Sequence, residues 1–168
     1  HLTAFTGTAV LANSTMTSAL STGSHVDLNA EVTGTMSFRN PIRSNGADPW
    51  LFFHDGFYYY IATAGTRLAI YKAANIGDLA TTPGTVIYTP EAGKEWSKNL
   101  WSPEIHYFSA ADVGEADAGW YCFLGSDSGD GKETGGGFGG QRAYVIKCLD
   151  GDNLLGRWGN PVTGEVNV

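Results

Sequence analysis

Short runs of β-prone residues, separated by turn residues, recur along the chain from Asp48 onward. The clearest pair is Pro49-Trp50-Leu51-Phe52-Phe53 and Phe57-Tyr58-Tyr59-Tyr60-Ile61, with His54-Asp55-Gly56 between them. Asp-Gly between two such runs is the strongest short-range hairpin signal, because a two-residue turn requires backbone conformations that these residues tolerate. The pattern therefore predicts two antiparallel strands joined by a tight turn.

Further runs extend this pattern into two groups of four strands. The first group is completed by residues 68–72 and 85–89, and the second comprises residues 103–108, 119–124, 142–147 and a short run within 161–168. Asp48 and Glu104 open the two groups at an offset of 56 residues. Four-stranded antiparallel units at such spacing are typical of β-propeller blades, although an eight-stranded sandwich fits the spacing too.

Composition supports a folded all-β chain. Hydrophobic residues make up 42% of the 168 residues and charged residues only 16%, which argues against intrinsic disorder. The 23 glycines favour strands joined by tight turns. Residues 1–37 show little alternation and are interpreted as an irregular or extended segment. We expect two blades in residues 38–168, at about 46–90 and 100–166.

The charge balance excludes two classes of partner. Ten Lys and Arg against seventeen Asp and Glu give a net charge of -7, and no basic cluster is available for phosphates or anionic lipid. Nucleic acid and membrane surfaces are therefore not expected as partners. Residue 1 is a His without a preceding charged leader, so we expect a processed, soluble chain.

The two cysteines leave two interpretations open. Cys122 and Cys148 each lie inside an apolar, strand-like run. They are either two buried thiols or, if their strands are neighbours, a disulfide that a secreted location would allow.

Candidate chemistry follows from the repeat. The first strand of each propeller blade lines the central axis, so Asp48 and Glu104 are expected to converge, with Trp50 and Trp101 as aromatic platforms for a sugar. Two carboxylates in an aromatic cleft suit glycoside hydrolysis, in which one protonates the leaving oxygen and one activates water. The alternative is that both carboxylates cap turns at strand ends.

Three motifs carry a family resemblance. Residues 40–50, Asn-Pro-Ile-Arg-Ser-Asn-Gly-Ala-Asp-Pro-Trp, followed by Asp55-Gly56-Phe57-Tyr58-Tyr59-Tyr60, resemble the first blade of glycoside hydrolase family 43. Residues 100–107, Leu-Trp-Ser-Pro-Glu-Ile-His-Tyr, look like its second-blade motif, and residues 152–158 look like the closing turn of that blade. The resemblance implies a secreted, five-bladed propeller that hydrolyses arabinose- or xylose-containing plant polysaccharides, including hemicellulose, with inversion.

The resemblance also assigns roles. It makes Asp48 the general base that activates water, and it makes Glu104 a pocket-lining residue. We expect Trp50, Trp101 and His106 to be further substrate-binding residues. The family's general acid is a Glu of the fourth blade and its pKa-tuning Asp lies in the third, so we expect neither in a sequence that ends at Val168.

Two functions and an assembly question follow. The chain is expected to be a hydrolase-like, partial propeller, without a cofactor or a resident metal. The alternative is a non-catalytic, lectin-like protein that uses the same pocket to bind carbohydrate. The open faces of two blades predict self-association, or a second chain or segment that completes the ring.

Overall fold

Antiparallel sheets account for the architecture, as the sequence predicts. The computed structural model describes residues 39–129 and 139–167, so the segment expected at 1–37 and part of the glycine-rich loop lie outside the described residues. In the described ranges, eight strands form two four-stranded antiparallel sheets, ordered β1-β2-β3-β4 and β5-β6-β7-β8. The all-β prediction is confirmed.

The first sheet contains the predicted hairpin. Its strands are β1 (Trp50–His54), β2 (Phe57–Ile61), β3 (Leu68–Ala73) and β4 (Thr85–Tyr88). The turn between β1 and β2 has φ angles of 46° at Asp55 and 79° at Gly56, which is the conformation that the Asp-Gly pair favours. A 3₁₀ turn, Ile76–Ala80, connects β3 to β4 and buries Leu79.

The second sheet differs from its prediction in its first strand, which begins at Lys98 and not at residue 103, and in its last strand. Its strands are β5 (Lys98–Phe108), β6 (Gly119–Asp127), β7 (Arg142–Cys148) and β8 (Trp158–Gly159), and a short helix α1 (Ala110–Val113) follows β5. The prediction of a fourth strand within 161–168 is wrong. The strand lies at Trp158–Gly159 because Trp158 is fully buried in the core and pairs with Cys148 on β7.

The main hydrophobic core lies between the two sheets. Because side chains alternate between the faces of a strand, each sheet turns one apolar face toward the other. The rings of Phe52 on β1 and Trp120 on β6 stack across this interface, with their centroids 5.5 Å apart. Burial of each large apolar side chain stabilises the fold by about 1.5–3 kcal/mol. Core residues from both sheets are Tyr59, Ile61, Leu68, Ile70, Ile105, Cys122, Leu124 and Ile146.

The two sheets repeat at an interval of 54 residues, not 56. Asp48 and Ser102 have φ angles of 50° and 48°, and each precedes a proline. The last residues of β1 and β5, His54 and Phe108, are separated by the same interval. The expected equivalence of Asp48 with Glu104 is therefore wrong: Asp48 corresponds to Ser102, and Glu104 corresponds to Trp50.

The cysteines are buried thiols. Cys122 and Cys148 are both free, at 0% and 4% exposure. Burial raises the pKa of the Cys122 thiol to about 12. The interpretation as buried thiols is the correct one.

The helices of the described ranges are short. None is long and apolar enough to cross a membrane.

Candidate functional site

A depression of about 230 Å³ lies where the start of β1 meets the middle of β5. It is lined by Asp48, Pro49, Trp50, Ser102, Pro103 and Glu104. Complete small-molecule sites usually have roughly 300–1,000 Å³, so this depression is smaller than a typical complete site. The depression is the candidate site because it brings Asp48 and Glu104 to one place.

Proline and backbone irregularity shape both rims of the depression. Pro49 and Pro103 lack an N–H group and cannot donate to a sheet ladder. The pairing of β5 with β6 shifts register between Trp101 and Glu104, so Ser102 and Pro103 leave the regular ladder. Left-handed φ angles at Asp48 and Ser102 reorient the chain immediately before each proline. The irregular backbone before β1 and within β5 is what places polar side chains on the rim.

The carboxylate of Asp48 is held by Thr63. The Thr63 hydroxyl donates a hydrogen bond to Oδ2 of Asp48 at 2.6 Å, and the Thr63 N–H donates to the main-chain oxygen of Ala47 at 3.0 Å. Asp48 itself is exposed to solvent. Sequence reasoning missed Thr63 because it lies beyond the end of β2, outside every motif.

Glu104 belongs to a small cluster with His106 and Trp50. Nε2 of His106 lies 3.2 Å from Oε2 of Glu104, and both side chains are partly exposed. The Trp50 and His106 rings approach with centroids 4.9 Å apart. The Trp50 indole N–H donates to the main-chain oxygen of Ile105 at 3.0 Å. A carboxylate and an indole therefore line the depression, and the His106 imidazole contacts both from outside the lining.

The expected platform Trp101 is not one of the residues that line the depression. It lies next to Ser102 on β5 and pairs with Gly125 on β6. The structure thus brings together Asp48, Glu104 and Trp50, adds His106 through Glu104, and leaves Trp101 outside the lining. Ser102 was also missed, although its position before a proline matches that of Asp48.

A second depression, of about 320 Å³, lies beside the first sheet. Its lining includes Ile42, Arg43, Leu51, Tyr60 and Leu79, and contains no carboxylate. The Arg43 guanidinium stacks over the Tyr71 ring at 3.8 Å and donates to the main-chain oxygen of Leu79 at 2.5 Å. The larger depression therefore lacks the acid and base groups that the smaller one has.

Metal-ligating clusters do not occur in the described ranges. Within them, no three His, Cys, Asp or Glu side chains are grouped so that they could hold a metal ion.

The buried carboxylate of Asp127 accepts hydrogen bonds from Asn99, Gln141 and the Gly129 N–H. These bonds give Asp127 a structural role at the end of β6.

Comparison with known proteins points to one group of enzymes. The sequence is 31% identical over 154 residues to an extracellular exo-α-(1→5)-L-arabinofuranosidase of Streptomyces avermitilis, a match that covers 90% of this chain. It is 28% identical over 135 residues to α-L-arabinofuranosidase 43 of Humicola insolens, which covers 77% of this chain. No family model matches the sequence.

A solved structure shares the fold. The crystal structure of an α-L-arabinofuranosidase from Lactobacillus brevis superposes with a TM-score of 0.53 at 23% identity, over 77% of this chain. The chain spans 28% and 24% of the lengths of the two curated relatives and 36% of the solved chain. The likeness therefore concerns about a quarter to a third of each relative.

Proposed function

We propose that the chain is part of a glycoside hydrolase that acts on arabinose-containing polysaccharides, and that its sheets are two blades of a five-bladed propeller of the family 43 type. The similarity to two arabinofuranosidases supports the substrate class. The two four-stranded sheets and their likeness to a solved arabinofuranosidase support the blade assignment. Secretion is part of the proposal, supported by the extracellular relative.

Asp48 is the proposed general base. The observation that carries this role is the position of its carboxylate at the junction of the sheets, hydrogen-bonded by Thr63 and lining the same depression as Glu104. A carboxylate in such a place can remove a proton from a water molecule as that water attacks the anomeric carbon. Glu104, Trp50 and His106 are proposed to contact the sugar.

The proposed reaction needs a second carboxyl group. An inverting hydrolase uses one carboxylic acid to protonate the leaving oxygen and another carboxylate to activate water from the opposite side of the sugar. Because the chain covers about a quarter of its curated relatives, we propose that the acid comes from sequence beyond these 168 residues. The open sheet faces are then the surfaces that meet further blades, from the same chain, a second copy or another chain.

The test is sugar release with a matched pair of carboxylate variants. Arabinan, arabinoxylan and xylan oligosaccharides are incubated with the complete protein, which carries these 168 residues together with the sequence that supplies the acid. Unmodified protein, Asp48→Asn and Asp55→Asn are compared, and released sugar is quantified. Asp55 is an exposed carboxylate with a left-handed φ in the hairpin turn at the other end of β1, so it controls for the substitution itself. Loss of a general base costs roughly 10²- to 10⁴-fold, so Asp48→Asn is expected to lose release and Asp55→Asn to keep it. Release by Asp48→Asn at the unmodified rate would refute the assignment.

Carbohydrate binding without hydrolysis is the second candidate. It is favoured by the contact of Glu104 and His106 beside the Trp50 ring, because polar groups next to an aromatic face hold sugars without any proton transfer. Calorimetric titration with arabino-oligosaccharides tests it. Binding that Glu104→Gln weakens, together with no sugar release, would favour this candidate.

A further inference from the structure

The Thr63 hydroxyl connects the two sheets at the candidate site. It donates a hydrogen bond of 2.6 Å to Oδ2 of Asp48, a residue that precedes β1 of the first sheet. It accepts a hydrogen bond of 2.8 Å from the main-chain N–H of Ser102, on β5 of the second sheet. The three groups form a continuous chain from the Ser102 N–H through the Thr63 oxygen to the Asp48 carboxylate.

The protons available on each group determine which group donates in each of these two hydrogen bonds. A hydroxyl group has one proton to donate, and a main-chain N–H can only donate. Because the Ser102 N–H already points at the Thr63 oxygen, the Thr63 proton is free to point at Asp48. An ionised carboxylate accepts and cannot donate, so each partner has the only role available to it. The 2.6 Å distance is the length expected of a charge-assisted bond from a hydroxyl to a carboxylate.

The backbone around Thr63 is anchored on both sides. The Thr63 N–H donates to Ala47, and the Ala64 N–H donates to the main-chain oxygen of Leu100 at 2.8 Å. Ala64 and Leu100 form an isolated bridge between the sheets. The hydroxyl therefore holds Asp48 from a segment that is itself fixed to both sheets, whereas an exposed Asp side chain alone would exchange among staggered rotamers.

We infer that Thr63 is a positioning residue for the Asp48 carboxylate. Its hydroxyl donates to Oδ2, fixes the Asp48 rotamer relative to Ser102 on β5, and leaves Oδ1 to face water or substrate in the depression. The positioning is argued from these two hydrogen bonds alone, whereas its effect on catalysis rests on the proposed function.

The test compares Thr63→Val, which keeps the shape but lacks the hydroxyl, with Thr63→Ser, which keeps the hydroxyl. The first readout is the hydrogen-exchange rate of the Ser102 amide, measured by NMR. We expect exchange to accelerate roughly 3- to 10-fold in Thr63→Val and to stay near that of the unmodified protein in Thr63→Ser. Unchanged exchange in Thr63→Val, or equal acceleration in both variants, would overturn the inference.

The second readout is the side-chain rotamer of Asp48, followed by three-bond couplings to its β-protons. A single dominant rotamer is expected in the unmodified protein and in Thr63→Ser, and averaged couplings in Thr63→Val. If Thr63→Val fails to fold, the unmodified protein still tests the inference, because an Asp48 side chain fixed by Thr63 must show one dominant rotamer. Averaged couplings in the unmodified protein would overturn it.

Sugar release by the complete protein separates this inference from the proposed function. If both hold, Thr63→Val lowers kcat by about 10-fold with little change in KM, and Thr63→Ser restores it, because a misplaced base slows the chemical step. If the NMR results hold while Asp48→Asn releases sugar normally, Thr63 positions Asp48 but the proposed function is wrong. If the NMR results fail while Asp48→Asn is inactive, the proposed function stands and Thr63 is not the positioning residue.

Discussion

Trp50 donates its indole N–H to the main-chain oxygen of Ile105 at 3.0 Å, which joins the first strand of one sheet to the first strand of the other. The same ring packs against His106, with centroids 4.9 Å apart. A side chain that the sequence suggests as a sugar platform is thus also a structural link between the sheets. Its effect on stability can be measured separately from any effect on binding.

Replacement of Trp50 by Phe is expected to destabilise the protein. The substitution keeps a six-membered ring but removes the donor to the Ile105 oxygen, which costs about 1–3 kcal/mol, and the loss of the five-membered ring adds the cost of its apolar contacts. Urea denaturation measures the loss as a lower unfolding midpoint. Val162→Ala serves as the control because Val162 is 90% exposed, and its midpoint should not change. Equal midpoints for Trp50→Phe and the unmodified protein would show that the bond contributes nothing.

Two glycine substitutions are expected to differ sharply. A Cβ atom on Gly159 would overlap the main-chain oxygen of Glu165, which cannot move without breaking the Asn160–Glu165 hydrogen bond. Gly159→Ala should therefore cost about 1–3 kcal/mol, whereas Gly65→Ala, where no atom lies within 4 Å of the new Cβ, should stay within about 0.5 kcal/mol. Thermal unfolding of the two variants gives the comparison. A Gly159→Ala variant as stable as Gly65→Ala would mean that the segment around Glu165 does not pack on β8.

The ion pair of Asp150 and Arg157 predicts a specific dependence on pH. Hydrogen bonds from the Arg157 side chain and main-chain N–H lower the pKa of Asp150 from its ordinary 3.8. A carboxyl with a lowered folded pKa stabilises the fold above its unfolded pKa and loses that effect as the pH falls through the folded pKa. Asp150→Asn should thus be less stable than the unmodified protein at neutral pH, by an amount that shrinks below pH 3.8. Urea denaturation from pH 7 to pH 3 tests this, and a constant difference over that range would contradict it.

The two thiols are expected to be unreactive in the folded protein. The thiolate is the reactive form, and burial raises the pKa of Cys122 to about 12 and also raises that of Cys148. At pH 8 a disulfide reagent should therefore label neither thiol until a denaturant is added, after which both should react. Rapid labelling of Cys122 without denaturant would show that the interface between the sheets opens in solution.

The parts of the fold that the sequence predicted well are those governed by local chemistry. Asp55-Gly56 defines a two-residue turn whatever surrounds it, and the strands on either side begin and end within one residue of the prediction. The fourth strand of the second sheet was misplaced because two residues are too few to show alternation. Trp158 is placed there by burial in the core and by pairing with Cys148, which are contacts with distant parts of the chain.

The candidate site was predicted only in part, because some of its residues are placed there by contacts with distant parts of the chain. Motifs beside the prolines indicated Asp48 and Glu104, and both line the depression. Thr63 carries no motif, and its role comes from the approach of β5 to the end of β2, which only the packing of the two sheets produces. The interval of 54 residues was missed because the sequence analysis matched the carboxylate of Asp48 with that of Glu104. The backbone conformation of Asp48 instead recurs at Ser102, the residue before the second proline.

The hydrogen bonds that join the sheets have a consequence for the order of folding. The bonds of Ser102 to Thr63 and of Trp50 to Ile105 span 39 and 55 residues, whereas the hairpin of β1 and β2 closes over a two-residue turn. Loop closure over a long stretch must be completed before its contacts can stabilise anything, so local hairpins have the kinetic advantage. Each sheet is therefore expected to form its own hairpins early, and the depression between them to be among the last features to appear. Substitutions at the junction should then mainly accelerate unfolding and leave the refolding rate almost unchanged.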